Sequence, residues 1–244
     1  MRATLSNTGS SLHKPHLNLN QMKSESVNAA PEIAALFAAG AVAYQTRDGF
    51  SANTLLPQEQ QFLARAVPKR VQEFAAGRAC ARAALAQLGF NGVALPVGAD
   101  RAPVWPAGIT GSITHTDGFC AAVVAVSGDI RALGLDAELV DSVKPHLWPR
   151  ICSPEELALL QSAEPEAASA AATLIFSAKE AFYKCQHFLT GQWLGFADVS
   201  ISIEPDRFTV HPTRTLEISQ HIPEPWQGRY RRQAGLVMTG VCIV

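Results

Sequence analysis

With 244 residues, 48% of them hydrophobic and 17% charged, the chain can bury a sizeable core, either as one large domain or as two halves of about a hundred residues each. A formal net charge of -1 excludes bulk nucleic-acid binding and leaves any anion site to a local basic pocket. The five cysteines, Cys80, Cys120, Cys152, Cys185 and Cys242, show no C-x-x-C spacing, which excludes a disulfide frame or zinc site and reads as free thiols in a reducing compartment.

Residues 1–30 are rich in Ser, Asn, Thr and Gln, hold His13 and His16 without a partner at ligand spacing, and read as a flexible polar arm with no signal-peptide core. The apolar run 33–44 is too short to cross a bilayer, so the expected compartment is the cytoplasm and no membrane partner is expected. Pro31 opens a short helix leading to a strand over 41–46, and Pro57 opens a helix expected over 55–66. The helix expected over 69–88 stacks Arg78 and Arg82 one turn apart, with Arg70 a little round from them and Gly77 allowing close approach. Such arginines are either a solvated face or bidentate donors to phosphate. An ordered, proline-rich loop over 100–106 precedes a hairpin, 111–116 and 119–126, that turns at Asp117 and Gly118 and puts Ser112, Thr114 and His115 at one strand end.

The next strand, 133–138, carries the first clear chemistry. Alternate side chains of a strand share a face, so Asp136 and Glu138 point the same way, roughly 7 Å apart, while Leu135 and Ala137 face the core. Paired carboxylates raise each other's pKa unless a cation holds them, and hard oxygen donors suit Mg²⁺ completed by substrate phosphates. Helical residues follow over 145–160, with Ser153 as cap, Pro154 in the first turn, and Glu155 and Glu156 as dipole-favourable acids. An alanine-rich connection, 163–172, leads to a helix over 174–184. There Leu174, Ala178, Ala181, Phe182 and Cys185 form an apolar stripe, and Ser177, Glu180 and Lys184 gather on the opposite side. Taken alone, Glu180 and Lys184 are a solvated i,i+4 ion pair; beside an acidic strand, Glu180 becomes a third carboxylate ligand. Lys179 points about 100° away from Glu180 and receives no role. Strands are expected over 196–203, 207–210, 230–232 and 236–244. The class is therefore α+β, with a long helix and hairpin strands in each half but no repeat visible in the sequence.

Five blocks in order, Lys69-Arg70 with Glu73-Phe74, Gly77-Arg78 and Ala81-Arg82; residues 101–106; residues 111–115; residues 134–138; and residues 176–184, closely resemble the larger, monomeric 4'-phosphopantetheinyl transferases. The resemblance covers about residues 65–200. It implies two similar halves related by a pseudo-twofold axis, 31–130 for gripping coenzyme A and 131–244 for the metal and catalytic helix, with the active site in the cleft between them. It implies a holo-[acyl-carrier-protein] synthase-type reaction, in which the phosphopantetheine arm of coenzyme A moves to a serine of an apo acyl, peptidyl or aryl carrier protein and 3',5'-ADP is released. By the same resemblance Asp136, Glu138 and Glu180 hold Mg²⁺, Lys184 contacts phosphate and steadies the leaving group, and Arg70, Arg78, Arg101, Thr114 and His115 grip the nucleotide, Arg82 matching less well. Glu180 is the expected base, directly or through a water on the metal, with Glu156 as the second candidate. Two other classes compete: a catalytically silent coenzyme A- or carrier-binding protein, against which every matched metal and lysine position is filled by a competent residue, and another Mg²⁺-dependent phosphohydrolase or nucleotidyl transferase using the same acidic strand.

Overall fold

The computed structural model describes residues 26–63, 65–222 and 224–244. Most of the polar arm expected over 1–30, including His13 and His16, lies outside them; the arm's last residues form β1 (Asn28–Ala29), antiparallel to β2 (Val42–Thr46). Between these strands comes α1 (Pro31–Ala34), and after them α2 (Pro57–Gln60), a single turn and much shorter than expected. The long helix α3 (Pro68–Gln87) leads to the hairpin β3 (Ile109–Thr116) and β4 (Phe119–Val126), closed through Gly118 at φ 67°. These strands form a first antiparallel sheet of order β1-β2-β4-β3.

The second sheet begins at β5 (Ala132–Leu139). Two short helices follow, α4 (Trp148–Ile151) and α5 (Pro154–Ser162), then α6 (Pro165–Thr190). The strands β6 (Val199–Ile203), β7 (Arg207–Pro212), β8 (Trp226–Gln233) and β9 (Leu236–Ile243) complete an antiparallel sheet of order β5-β9-β8-β7-β6. The alanine-rich segment expected as a connection is the opening of α6, because alanine carries the least helix cost and Pro165 suits the first turn. Gly191, left-handed at φ 66°, ends that helix.

The apolar stripe expected on α6 packs on the second sheet, where Phe182 stacks on Trp226 at 5.0 Å between ring centroids. Full burial of a side chain such as Phe182 or Phe208 contributes roughly 1.5–3 kcal/mol. On the other face of β5, Leu133, Leu135 and Ala137 pack with Ile33, Phe37, Phe119 and Met238, so this strand is buried on both sides. The helix comes very close because Gly134 lies beneath it. A methyl group there would overlap the Ala181 carbonyl oxygen and the Cys185 amide of α6.

Each half repeats one frame. Strand β2 or β5 is followed by a proline-led helix (α2 or α5), a long helix (α3 or α6), and antiparallel strands, two in the first half and four in the second, the last of which pairs back to the first. In the first half the Glu59 carboxylate accepts from the amides of Leu56 (2.9 Å) and Leu95 (3.0 Å) and from Arg82 Nη1 (2.6 Å). In the second, the Glu156 carboxylate accepts from the amides of Ser153 (2.6 Å) and Ile201 (2.6 Å) and from Lys179 Nζ (2.8 Å). Glutamate and cation lie 23 residues apart in both. The duplication is carried by these buried contacts, which a search for sequence identity does not see.

Candidate active site

The two sheets meet where β3 runs alongside β5 without backbone pairing. Hydroxyls of β3 close the seam: Ser112 Oγ accepts from the Leu135 amide (3.0 Å), and Thr114 Oγ1 accepts from the Ala137 amide (3.1 Å). The acidic face of β5 is thereby held beside the strand that carries His115.

Asp136 is buried, and its Oδ1 receives Lys184 Nζ at 2.7 Å, with Thr114 Oγ1 at 3.4 Å. Lys184 also donates to the Leu135 carbonyl at 3.1 Å. Its partner is thus the strand, and the Glu180–Lys184 surface pair that helical spacing alone suggests does not form. Glu138 accepts from Ser142 Oγ at 3.4 Å, and its pKa is pushed up to about 7, first by burial and then by the Asp136 charge. Burial also raises Glu180, opposed by Lys184 and reinforced by Asp136. Ser177, expected on the polar side, is instead fully buried and shares a 2.8 Å hydrogen bond with Thr239.

Among the described residues no three acidic, histidine or cysteine side chains are gathered closely enough to hold a metal by themselves. The donors fit a different arrangement. Mg²⁺ takes one or two carboxylates and fills the rest of its shell with phosphate and water, and Asp136 Oδ2 is buried without any hydrogen-bond partner. An orphaned carboxylate oxygen beside two acids whose charged forms are disfavoured is an environment that a hard cation would stabilise.

The cationic side comes from α3, β3 and the loop between. Arg78 is buried: its guanidinium stacks 4.2 Å from the Phe74 ring centroid and Nε donates to the Leu95 carbonyl at 2.8 Å. Burial pulls its pKa down to about 10, still charged at neutral pH. Arg70 Nη1 lies 2.7 Å from His115 Nε2, and since arginine can only donate, that nitrogen accepts and the ring is neutral with its proton on Nδ1. Burial and the Arg70 charge both lower the His115 pKa, which agrees. Arg101 sits at φ 68°, a left-handed conformation costly for a side chain with Cβ, on the loop dividing two cavities.

Those cavities adjoin. One, about 420 Å³, is lined by Arg70, Arg78, Arg101 and His115. The other, about 540 Å³, shares Arg101 and Ile113 and is walled by Trp105, Tyr183, Lys184 and Trp193. A third of about 210 Å³ continues past Tyr183 and Trp193 to Glu180. The cleft thus brings Arg70, Arg78, Arg101, His115, Lys184 and Glu180 along one path.

Three expected residues lie elsewhere. Arg82 is tied to Glu59 and to the Thr54 carbonyl (2.8 Å), away from the cleft. Thr114, expected on the nucleotide, is buried in the seam, and neither it nor Asp136 nor Glu138 lines these cavities. Glu156, the second candidate base, has both oxygens engaged in a buried structural network. Its partner Lys179 spends all three protons on the Ile151 carbonyl (2.9 Å), Glu156 and the Phe196 carbonyl (3.0 Å). The aromatic wall was missed: Tyr183, His187 and Trp193 cluster with ring centroids 5.1–5.6 Å apart, and the four-residue spacing of Tyr183 and His187 on α6 was the available signal. Among the described residues no helix is long and apolar enough to cross a membrane.

Residues 58–125 match the 4'-phosphopantetheinyl transferase N-terminal domain and residues 132–232 the 4'-phosphopantetheinyl transferase superfamily. The chain is 37% identical over 201 residues to the 4'-phosphopantetheinyl transferase Svp of Streptomyces mobaraensis, covering 78% of each. It is 37% identical over 200 residues to PptT of Mycobacterium tuberculosis, covering 78% of this chain and 86% of that one. To Npt of Nocardia iowensis it is 40% identical over 148 residues, 61% of this chain and 66% of that one. The chain belongs to the 4'-phosphopantetheinyl transferase superfamily.

Proposed function

We propose that this chain moves the phosphopantetheine arm of coenzyme A onto a carrier-protein serine, using one cleft in which the half over 31–130 grips the nucleotide and the half over 131–244 handles the reacting phosphate. The observation that carries the reading is the meeting, along one path, of Arg70, Arg78, Arg101 and His115 with Glu180 and with Lys184, which is itself bound to Asp136, whose Oδ2 is buried and unpartnered. Arg70, Arg78, Arg101 and His115 would take the anionic groups of coenzyme A, Arg78 offering a preformed guanidinium fixed on Phe74. Asp136, Glu138 and Glu180 would hold a divalent cation, Mg²⁺ by the hardness of the donors, which supplies charge neutralisation at the pyrophosphate when bound. Lys184, poised between the acidic strand and the cavity, would stabilise charge on the departing 3',5'-ADP. Glu180, whose burial favours accepting a proton, would take the one released by the serine hydroxyl. In-line phosphoryl-type transfer depends mainly on positioning and charge, which is what such a cleft supplies. The chain would act as a cytoplasmic monomer.

Intact mass spectrometry of an apo carrier incubated with the protein, coenzyme A and Mg²⁺ tests this. The expected result is a gain of about 340 Da, lost with EDTA and with a Ser→Ala carrier. No gain on acyl, peptidyl or aryl carriers would overturn the reading.

A further inference from the structure

We propose that Gln186 is a positioning residue for coenzyme A: through a closed ring of hydrogen bonds at the end of α6 it fixes the peptide that carries Trp193, and so sets the affinity for the uncharged arm of the ligand. The inference rests on the reading above, in which coenzyme A lies in the cleft.

Trp193 is 66% exposed, yet its ring stands 5.1 Å from that of His187 and 5.6 Å from that of Tyr183, on the divide between the cavities of about 540 and 210 Å³. An indole so open to water lacks the burial that usually orders it, so its placement comes largely from the chain beneath. That chain is a turn, because α6 ends at the left-handed Gly191. Gln186 is fully buried, and its Nε2 donates at 2.8 Å to the Gln192 carbonyl, which belongs to the peptide joining Gln192 to Trp193. The Gln192 amide donates to Thr190 Oγ1 at 3.0 Å, and the Thr190 hydroxyl donates to Gln186 Oε1 at 2.8 Å, with the Gln186 carbonyl at 3.0 Å as its alternative acceptor. The ring closes with every donor pointing in one sense, an arrangement in which each bond strengthens the next, and a buried amide is costly to leave unpaired. A further tie lies at the surface, where Gln192 Oε1 accepts from the Glu217 amide at 3.1 Å. The ligand's charges belong with Arg70, Arg78, Arg101 and His115 in the neighbouring cavity. The 210 Å³ cavity is instead walled by Phe182, Tyr183, Trp193, Leu194 and Phe196 and reaches Glu180. A chain of methylene and amide groups leaving a phosphate held beside Glu180 and Lys184 meets this wall. An indole fixed beforehand costs no ordering when that chain arrives.

The test is calorimetry of the full chain in Mg²⁺ with two ligands, coenzyme A and 3',5'-ADP, which lacks the arm. Gln186→Leu, which keeps the bulk and removes the amide, is expected to weaken coenzyme A about 5- to 10-fold and to leave 3',5'-ADP within about twofold of wild type. Trp193→Ala is expected to show the same selective loss, and adding Gln186→Leu to it to change coenzyme A affinity by less than about twofold, because Gln186 acts through the indole. Should Gln186→Leu fail to fold, Thr190→Val breaks the same ring and is expected to give the selective loss, with Thr190→Ser restoring wild-type affinity. Unchanged coenzyme A affinity in Gln186→Leu or Trp193→Ala, an equal loss for both ligands, or a full additional loss in the Trp193→Ala background would overturn the proposal. The expected pattern in a protein that modifies no carrier would support the positioning role and overturn the transferase reading; a wild-type chain that binds neither ligand would overturn both.

Discussion

The two halves keep the same buried pair and differ in the ions they carry beside it. Arg82 on α3 and Lys179 on α6 each neutralise a glutamate from the preceding short helix, at the same 23-residue spacing. Counting onward, Glu180 follows Lys179 as Ala83 follows Arg82, and Lys184 corresponds to Gln87. The first half therefore has no acid or lysine at the positions that match Glu180 and Lys184. It presents Arg78 instead, buried against an aromatic face and a carbonyl. The second half presents three carboxylates against Lys184, leaving excess negative charge for a cation. A repeated frame supplies stability through compensated ions, and the halves differ in the charged residues beside them.

The largest expected effects test the shared frame. Lys179→Met and Arg82→Met each strand a buried glutamate and should each cost about 3–5 kcal/mol in urea denaturation; a small loss in only one would break the equivalence of the halves. Next come the specialised residues. Asp136→Asn and Glu180→Gln should lower carrier modification by about 10²–10³-fold while melting close to wild type. Arg78→Lys should chiefly weaken coenzyme A binding measured by calorimetry, since lysine loses the planar stack on Phe74.

A smaller contrast concerns how closely each helix approaches its sheet. Gly134→Ala puts a methyl into the α6 backbone and should destabilise by about 3 kcal/mol, whereas Gly77→Ala meets only the Ile113 Cγ2 methyl, at 2.8 Å, and should cost about 1 kcal/mol. Chemical denaturation of the two variants measures the difference, and equal losses would show that the two approaches are equally tight. At the bottom of the scale, Lys69→Met removes the exposed Lys69–Asp117 pair and should leave the melting temperature unchanged within error.

Local periodicity and turn chemistry by themselves determined most elements: the proline-led starts of α1 and α5, the Asp117-Gly118 hairpin, the shared face of Asp136 and Glu138, and the stripe on α6. Backbone geometry fixes such patterns within a few residues, so they can be read without a partner. The short length of α2 could not be read this way, because Glu59 serves the distant Leu95 amide and Arg82. Nor could the fates of the polar residues. Lys184 meets Asp136, 48 residues away in sequence, and not the neighbouring Glu180 one turn before it. Glu156, a second candidate base, and Thr114, expected on the nucleotide, each prove to be buried in contacts 23 residues distant. Only the tertiary structure decided these pairings, because a charge or hydroxyl finds its partner through helix placement and strand register, and at β5 that placement depends on the missing side chain of Gly134.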